Sequence, residues 1–431
     1  MARILPFRAV RYALPNGSDL SDLVAPPYDV VSPAEREILL ARDPANVVAL
    51  ELPEGGVDPS VPGNRYETGA RRWREWIDTG VLAFDREPAL YVVEQRFTVS
   101  GREVSRRGFV AAVGLEPFSA GVVLPHERTL PKALDDRLRL TRATAANLSQ
   151  VFGLFSDPAH ATDSLVAAAM AGPPLARAEL DGVHSTLWAL PDPAAHAQLA
   201  AFLADRPVYI ADGHHRYTTA LAYRDEQRAD ARSEPDAAYD TVMMALVNMD
   251  DPGLVVLPTH RVADAASGFD PEGFWTALSE RFELSDLPEG THASATLAAV
   301  ADRPSYIVRT KDGVTRLVRL RTDVDLEDGY PAGASKAWRT LDAAILQELI
   351  LSPLLDIHPD RPATLERLRF VKEAHGALAM AGEHDVAFVL NPTRMEQVAA
   401  VALRGETMPQ KSTYFYPKLT SGLLFKSLDT L

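Results

Sequence analysis

The chain has 431 residues, of which 46% are hydrophobic and 24% are charged, a composition typical of a globular protein with two or three folding units. Its formal net charge of −15 repels a phosphate backbone, so we expect no nucleic-acid partner, and its lack of cysteine excludes disulfides, thiolate metal sites and cysteine catalysis. The N-terminus lacks an apolar signal core and no stretch approaches the roughly 18 apolar residues that span a bilayer, so we expect a cytoplasmic protein with no membrane partner.

The N-terminal part of the chain contains two helix-start signals and a hairpin pattern. Residues 32–35 (Ser-Pro-Ala-Glu) form a capping-box motif, which predicts a helix. Residues 64–67 repeat the motif, and an aromatic stripe then predicts a second helix that Gly80 ends. The strand-like runs Leu90–Val99 and 108–115 predict a hairpin between them.

The middle of the chain alternates strand and helix patterns. Residues 208–211 predict a strand and residues 213–226 an amphipathic helix. Apolar runs follow at Thr241–Asn248 and 254–257. This alternation predicts a mixed α/β architecture.

A second, α+β region is predicted to begin after about residue 263. Its elements are a hairpin of strands 306–309 and 315–320, helices over 341–351 and 362–380, a strand over 386–390, and a helix that Asn391 caps, Pro392 opens and Gly405 closes. We therefore divide the chain into domains 1–263 and 264–431.

The strongest candidate site follows the strand predicted at the middle of the chain. Gly213 lets backbone approach a ligand, and free N–H groups at a helix start attract an anion. Arg216 can donate two hydrogen bonds to phosphate oxygens, and His214 and His215 can add donors or an acid–base group. In the alternative interpretation Asp212 only caps the helix and the histidines bond to local carbonyls.

A second candidate segment joins His126, Glu127 and Arg128 behind an apolar strand-like run. Glu127 is the best general-base candidate in the chain, because a carboxylate in a water-poor cleft can have a pKa near neutrality. The alternative is a solvated loop with an ordinary ion pair.

Two further segments are candidates for substrate binding. Prolines at 26 and 27 hold Tyr28 and Asp29 still, either as a site wall or as a plain turn. Arg142 lies on a basic helical stretch that can receive a carboxylate or phosphate, although a solvated face explains the stretch equally well.

Other segments have weaker functional interpretations. Residues 248–253 place two carboxylates after an apolar strand, which suits Mg²⁺ or simply a turn. Residues 408–418 contain two lysines and two tyrosines and either close over a ligand or pack as an extension. The chain has no Walker loop, no dinucleotide fingerprint and no Gly-x-Ser-x-Gly elbow. A metal-dependent hydrolase remains an alternative. Residues 212–215 have a spacing typical of metal ligands, and His126 or His260 can supply a further imidazole ligand.

Several of these motifs together resemble the domain-of-unknown-function family 1015, and the resemblance covers nearly the whole chain. The residues that carry it are 6–10, 25–30, 124–130, 143–149, 211–217, 248–253 and 408–416.

A more distant likeness concerns residues 212–217, which resemble the Gly-Gly-Cys-His-Arg-Tyr phosphate loop of sulfiredoxin and the matching turn of ParB-type nucleotide-binding domains. It implies a ParB/sulfiredoxin-like core with an N-terminal hairpin region and a C-terminal α+β region. Free serine kinases share that fold and have an upstream His-Glu-Glu segment whose glutamate activates the serine hydroxyl. His126 and Glu127 match that segment, and Arg128 replaces its second glutamate. His214 replaces the sulfiredoxin cysteine, so we do not expect sulfinic acid reduction.

These observations lead to one principal hypothesis, which is phosphoryl transfer from ATP or ADP, with Mg²⁺, to a small hydroxyl metabolite, most simply free L-serine. We assign catalysis to Glu127, His126 and His215. We assign phosphate binding to Asp212, Gly213, His214, His215 and Arg216. We assign substrate binding to Tyr28, Asp29, Arg128 and Arg142. The alternatives are a regulator that binds a nucleotide or phospho-metabolite without turnover, and the metal-dependent hydrolase.

Overall fold

The computed structural model describes residues 2–129, 131–230, 237–327 and 330–429. By packing, the chain divides into two compact units. The first unit lies within residues 1–125, 129–255 and 417–431, and the second lies within 126–128 and 256–416. The chain thus leaves the first unit near residue 255 and returns to it at 417. The division into functional domains at residue 263 stays a prediction.

The strands are short, apart from one long hairpin. In chain order they are β1 (Ile4–Leu5), β2 (Val10–Tyr12), β3 (Ser18–Asp19), β4 (Leu82–Phe84), β5 (Leu90–Val99), β6 (Arg102–Gly114), β7 (Val123–Leu124), β8 (Ala146–Asn147), β9 (Val151–Phe155), β10 (Ala176–Leu180), β11 (Val183–Leu190), β12 (Val208–Asp212), β13 (Thr241–Asn248), β14 (Val255–Leu257), β15 (His260–Ala263), β16 (Phe282–Asp286), β17 (Ser305–Thr310), β18 (Thr315–Leu320), β19 (Leu368–Val371), β20 (Val386–Leu390), β21 (Tyr414–Tyr416) and β22 (Lys426–Ser427).

The helices include three of fourteen residues or more, and these three belong to the first unit. In chain order the helices are α1 (Pro33–Arg42), α2 (Val48–Glu51), α3 (Arg65–Asp78), α4 (Pro131–Thr144), α5 (Asp163–Met170), α6 (Pro193–Leu203), α7 (His214–Asp230), α8 (Pro271–Ser279), α9 (Ala293–Ala298), α10 (Lys336–Arg339), α11 (Asp342–Leu346), α12 (Ser352–Leu355), α13 (Pro362–Leu365), α14 (Ala374–Met380) and α15 (Met395–Ala402).

The first unit is built on a large mixed sheet. Its strand order is β3-β10-β11-β5-β6-β13-β9-β12-β7, and β1 pairs with β6. The pairs β3–β10, β7–β12 and β9–β13 are parallel, whereas β5 and β6 form the predicted antiparallel hairpin. Helices pack against this sheet, which confirms the predicted mixed α/β class.

The start of α7 is fixed by the core of the first unit. Tyr217, in the first turn of α7, is fully buried, and its ring stacks on Phe118 with centroids 5.4 Å apart. Its hydroxyl donates to the carbonyl of Glu116 at 2.9 Å and accepts from the Glu116 amide at 3.0 Å. A buried phenol needs such partners, so this anchor sets where the preceding turn lies.

The N-terminal helices begin where the capping motifs predict. Ser32 Oγ accepts from the Glu35 amide at 3.2 Å, and the Glu35 carboxylate accepts from the Ser32 amide at 2.7 Å. Asn64 caps α3, whose Trp73 and Trp76 are buried. Both helix predictions are confirmed.

The second unit contains a separate antiparallel sheet. Its order is β16-β18-β17-β20-β15-β19, and the hairpin β17–β18 is the predicted one. Its core is formed by side chains of α8, α11 and the sheet, among them Phe274, Ile345 and Phe388. The helix predicted over 341–351 contains α11 followed by a π-helical turn at Gln347–Leu351.

Two helix predictions in the second unit are wrong. Residues 362–380 do not form one helix, because Leu368–Val371 pairs with β15 as a strand and separates α13 from α14. The last helix starts at Met395 rather than Pro392, because Thr393 Oγ1 donates to the Ser412 carbonyl at 2.6 Å. Both errors arise from contacts with distant segments, which override local propensity.

Candidate functional site

The strand-turn-helix segment from β12 to α7 forms the centre of the site in the first unit. The pairing of β12 with β9 shifts register between Ile210 and Asp212, so the strand end bends out of the regular ladder. Gly213 follows with φ +88°, a left-handed conformation that favours glycine. A Cβ on Gly213 would lie 2.9 Å from Nε of Arg216, so the glycine makes room for the guanidinium beside the turn.

Asp212 is a buried carboxylate held by two cations. Its Oδ2 lies 3.0 Å from Nζ of Lys418 and 3.6 Å from Nη2 of Arg216. Its Oδ1 accepts from the amide of Gly213 at 2.8 Å. Burial by itself raises the pKa of Asp212, but the charges of Lys418, Arg216 and then His214 outweigh burial and hold that pKa well below its usual range. Asp212 is therefore an anion at neutral pH.

Arg216 is largely buried, with a side chain only 11% exposed. Its Nη1 donates to the carbonyl of Gln150. Burial lowers the pKa of Arg216, but the negative charges of Asp212 and then Asp29 raise it above its usual value. The guanidinium is thus permanently charged, and Asp29, which was predicted to bind substrate, acts on it electrostatically.

Arg106 is a third cation of this site, and the sequence analysis did not identify it. It is 2% exposed, donates to the Pro417 carbonyl at 2.6 Å and to Oε1 of Gln95, and lies 4.7 Å above the ring of Phe152. Burial lowers the pKa of Arg106 to about 9, opposed by the charge of Asp212, so the side chain is still charged at pH 7.

We call the four side chains Arg106, Asp212, Arg216 and Lys418 the cationic cluster. Three positive charges and one negative charge leave it with a net charge of +2. Asp29 offsets part of this excess at Arg216. Because a buried excess charge is costly, the rest suits an anionic ligand. His214 is buried in the first turn of α7, and His215, next to it, is half-buried.

Tyr28 and Arg137 flank Arg216 on the side of a small cavity. The guanidinium of Arg137 lies 4.2 Å above the Tyr28 ring, and Nη1 of Arg137 donates to the Glu51 carbonyl at 2.9 Å. Burial raises the pKa of Tyr28 to about 12, and the charges of Arg137 and Arg216 oppose that rise. Tyr28, Arg137 and Arg216 all line the cavity. The structure thus brings the predicted residues Tyr28 and Arg216 together.

Arg142, predicted to bind substrate, forms a bidentate ion pair with Glu226. Its Nε donates to Glu226 Oε2 at 2.8 Å, and its Nη2 donates to Oε1 at 2.5 Å. The pair joins α4 to α7 at the surface, where the Arg142 side chain is 47% exposed. The substrate role of Arg142 stays a prediction.

The segment of His126, Glu127 and Arg128 belongs to the second unit. His126 is 1% exposed, and its Nε2 lies 2.9 Å from Thr413 Oγ1. Glu127 Oε1 accepts from the amide of Lys411 at 3.2 Å. These contacts hold the segment against residues 411–413 of the same unit.

Arg128 and Arg261 complete the surroundings of this segment. Nε of Arg128 donates to Thr407 Oγ1 at 3.2 Å. Arg261 is buried, which lowers its pKa to about 9, and the charge of Glu127 opposes that shift. Glu127 therefore faces a cation in its own unit.

The carboxylates of residues 248–253 take part in a turn. Asp250 Oδ2 accepts from Ser156 Oγ and from the Asp157 amide, both at 2.8 Å, and Asp251 Oδ1 accepts from the Gly253 amide at 2.6 Å. Within the described ranges 2–129, 131–230, 237–327 and 330–429, no three His, Asp or Glu side chains are grouped as metal ligands. Nor is any helix in the described part of the chain long and apolar enough to cross a bilayer.

Sequence reasoning missed three contributors to the site, namely Arg106, Gln150 and Glu51. Arg106 lies on β6 among residues read as an ordinary hairpin, and Gln150 contributes its backbone carbonyl. In the sequence Lys418 stands out only as one of the two lysines of residues 408–418. A strand arginine that the hydrophobic alternation places inward is the one local signal for Arg106, because an inward charge requires partners.

Comparison with protein-family models gives one match, over residues 4–344, to a family described as "Protein of unknown function (DUF1015)". No curated protein matches the chain.

Among solved structures, a free serine kinase variant in complex with ADP is 12% identical, with 68% of this chain and 84% of that chain covered and a TM-score of 0.34. A conserved hypothetical protein from Pyrococcus furiosus is 14% identical, with 69% and 89% covered and a TM-score of 0.33. C-terminally truncated SbnI from Staphylococcus aureus is 13% identical, with 72% and 85% covered and a TM-score of 0.34. Such scores are too low to establish a shared fold, so the ParB/sulfiredoxin-like core stays a prediction.

Proposed function

We propose, for a chain that belongs to the DUF1015 family, nucleotide-dependent phosphoryl transfer to a small hydroxyl metabolite, with free L-serine as the acceptor. The single observation that carries the proposal is the cationic cluster at the start of α7. It combines a net charge of +2 with the N-terminus of a 17-residue helix. That combination suits a phosphate group.

In this proposal Arg216 and Lys418 neutralise phosphate oxygens, while Gly213 lets the backbone approach them. The planar guanidinium of Arg216 can donate two parallel hydrogen bonds, and the ammonium group of Lys418 supplies a compact positive charge. His214 and His215 serve as further phosphate donors, and Asp212 holds the cations in place. Phosphoryl transfer depends mainly on positioning and charge neutralisation, which such a cluster provides.

The acceptor hydroxyl needs a base, and the sequence resemblance assigns that role to Glu127. The carboxylate takes the hydroxyl proton as the new O–P bond forms and the bond to the leaving nucleotide breaks. We keep His126 as its catalytic partner and Tyr28, Asp29, Arg128 and Arg142 as substrate-binding residues. Mg²⁺ bound chiefly through nucleotide phosphates would supply further charge neutralisation.

A second candidate function is nucleotide binding without turnover. The observation that favours it is the engagement of Glu127 Oε1 by the Lys411 amide, because a carboxylate that fastens its own segment has a structural role. Both candidates require the phosphate site, and they differ in what Glu127 does.

The phosphate site is tested by ADP binding in a titration calorimeter. Arg216→Lys keeps the charge beside Asp212 but loses the fork, so ADP affinity should fall about tenfold, and Arg216→Ala should lower it further. Arg71→Ala is the control, because Arg71 is 65% exposed on α3 and pairs only across one helix turn. Equal ADP affinity in the wild-type protein and both Arg216 variants contradicts the site.

Catalysis is tested by O-phosphoserine formation from L-serine with ATP or ADP. Glu127→Gln keeps the side-chain shape and should slow transfer about a hundredfold to ten-thousandfold with ADP affinity unchanged. Glu280→Gln, at an exposed position of the same unit, is the matched control. Near wild-type turnover by Glu127→Gln removes Glu127 as the base. Absence of phosphoserine with the wild-type protein leaves the non-catalytic binder as the better account.

A further inference from the structure

The cavity beside Arg216 has several wall residues that the proposed phosphate site does not use. It has a volume of about 40 Å³, room for about three water-sized groups. Its walls include Tyr28, Glu51, Arg137, Arg216 and Thr219, all from the first unit. Arg216 thus belongs both to this cavity and to the cationic cluster.

Two buried polar atoms of the cavity walls need a partner. Glu51 is 3% exposed and Thr219 is 4% exposed. Within the described chain segments, neither Oε1 of Glu51 nor Oγ1 of Thr219 has a hydrogen-bond partner. The other carboxylate oxygen of Glu51, Oε2, lies 3.5 Å from Nη1 of Arg137. An unpaired buried carboxylate oxygen costs more than an unpaired neutral group, so the wall calls for a hydrogen-bond donor.

The charges of the walls indicate what kind of donor fits. Glu51 contributes one negative charge and lies 3.5 Å from Arg137, which is also paired with Asp136 at 2.5 Å. Arg216 is paired with Asp212. Both arginines therefore already have a carboxylate partner, whereas Oε1 of Glu51 has no donor among the residues that the structure describes.

An ammonium group supplies three N–H donors and a positive charge to Glu51. A hydroxyl group on the same ligand can form a hydrogen bond with Oγ1 of Thr219. The ammonium end of a zwitterionic α-amino acid meets this requirement with three charged donors, whereas a hydroxy acid offers Oε1 of Glu51 a single neutral O–H donor.

We infer that Glu51, assisted by Thr219, receives the ammonium group of the acceptor and selects an amino acid over the corresponding hydroxy acid. The inference rests on the proposed function for the phosphorylation of the acceptor, but ammonium binding can be measured without turnover. Because Arg216 lines the cavity, an acceptor bound there lies next to the phosphate site of the same unit.

The test uses the full chain with L-serine and with glycerate, which replaces the ammonium group by a hydroxyl. Binding of each is measured by calorimetry without nucleotide, and phosphorylation of each is measured with ATP or ADP. Serine should bind at least tenfold more tightly than glycerate. Glu51→Gln should weaken serine binding roughly tenfold to a hundredfold and leave ADP affinity unchanged, since a hydrogen bond to a charged group is lost.

Glu75→Gln, on the exposed face of α3, is the control for the charge change and should bind serine normally. Thr219→Val removes one hydroxyl with little change of shape and should weaken serine binding by about threefold to tenfold. It keeps the inference testable if Glu51→Gln does not fold.

The outcomes separate this inference from the proposed function. If the wild-type protein phosphorylates serine and glycerate equally well, or if neither variant changes serine binding, the ammonium site is wrong while the kinase stands. If serine binds in a Glu51-dependent way but no phosphoserine forms, the ammonium site stands and the kinase fails. If serine does not bind at all, the cavity holds water and the inference is overturned.

Discussion

Replacing Asp212 by asparagine tests the charge arrangement of the cationic cluster. The amide keeps the size of the side chain, but the charges of Arg106, Arg216 and Lys418 then total +3 instead of the net +2. The Asp212 side chain is 15% exposed and those of Lys418 and Arg216 are 19% and 11% exposed, so water screens the pairs poorly. Removing one member of a buried pair costs about 3 kcal/mol of the free energy of unfolding. We therefore expect Tm to fall by roughly 6 °C.

The pH dependence of this loss has a definite sign. The folded state lowers the pKa of Asp212 from 3.8, so the carboxylate stabilises the fold fully above that value. The stability gap between the wild-type protein and Asp212→Asn should be constant between about pH 5 and pH 8. It should narrow below about pH 4, because the unfolded chain then takes up a proton at Asp212 that the folded protein, with its lowered pKa, does not bind.

Thermal unfolding with and without sulfate provides the assay. Since the variant has a larger excess of positive charge, sulfate should raise its Tm more than that of the wild-type protein. Asp135→Asn, which alters an exposed pair with Arg139 on α4, should change neither Tm nor the response to sulfate appreciably. An Asp212→Asn protein as stable as the wild type, or with the same response to sulfate, would refute the cluster as an anion site.

The remaining predictions concern the turn and the surface charge. Gly213→Ala should lower ADP affinity more than tenfold, because its Cβ would lie 2.9 Å from Arg216 Nε. Gly121 also has a positive φ, but a Cβ there would have no atom within 4 Å. Gly121→Ala should therefore lose about 1–2 kcal/mol of stability in thermal unfolding and keep its ADP affinity. If Gly213→Ala kept its ADP affinity while Gly121→Ala lost it, the proposed role of Gly213 in making room for the Arg216 guanidinium would be contradicted. A fluorescence-anisotropy titration at physiological salt should detect no binding to duplex DNA, given the net charge of −15, and micromolar affinity with a steep salt dependence would show that a local basic surface overrides it.

The sequence predicted well the parts of the fold that depend on neighbouring residues. The capping motifs at Ser32 and Asn64 gave two helices at their observed starts, and the apolar run before Asp212 gave β12 and the turn into α7. Each of these features is encoded within a few residues, so a single sequence suffices. Residues 368–371 form a strand only because β15 lies beside them, and no local pattern records that pairing.

The same distinction between local and long-range information applies to the residues of the candidate site. Arg216 was predictable, because it lies in the first turn of a helix that begins beside a glycine. Lys418, which pairs with Asp212, is more than two hundred positions from it in the sequence, so spacing gave no indication of the ion pair. Glu51 ends the short helix α2, whose four residues are all buried, and only the structure shows a carboxylate oxygen without a donor there.

The return of the chain to the first unit has a consequence for biosynthesis. Lys418 leaves the ribosome only after the whole of residues 256–416, whereas Asp212 and Arg216 emerge long before. A nascent chain therefore carries the turn between β12 and α7 without one of the cations that pair with Asp212, and β8 is made before its partner strand β22. Domains usually fold as they emerge, so the first unit must stay incomplete during synthesis of the second. The cationic cluster is in this way completed only after the second unit has been made.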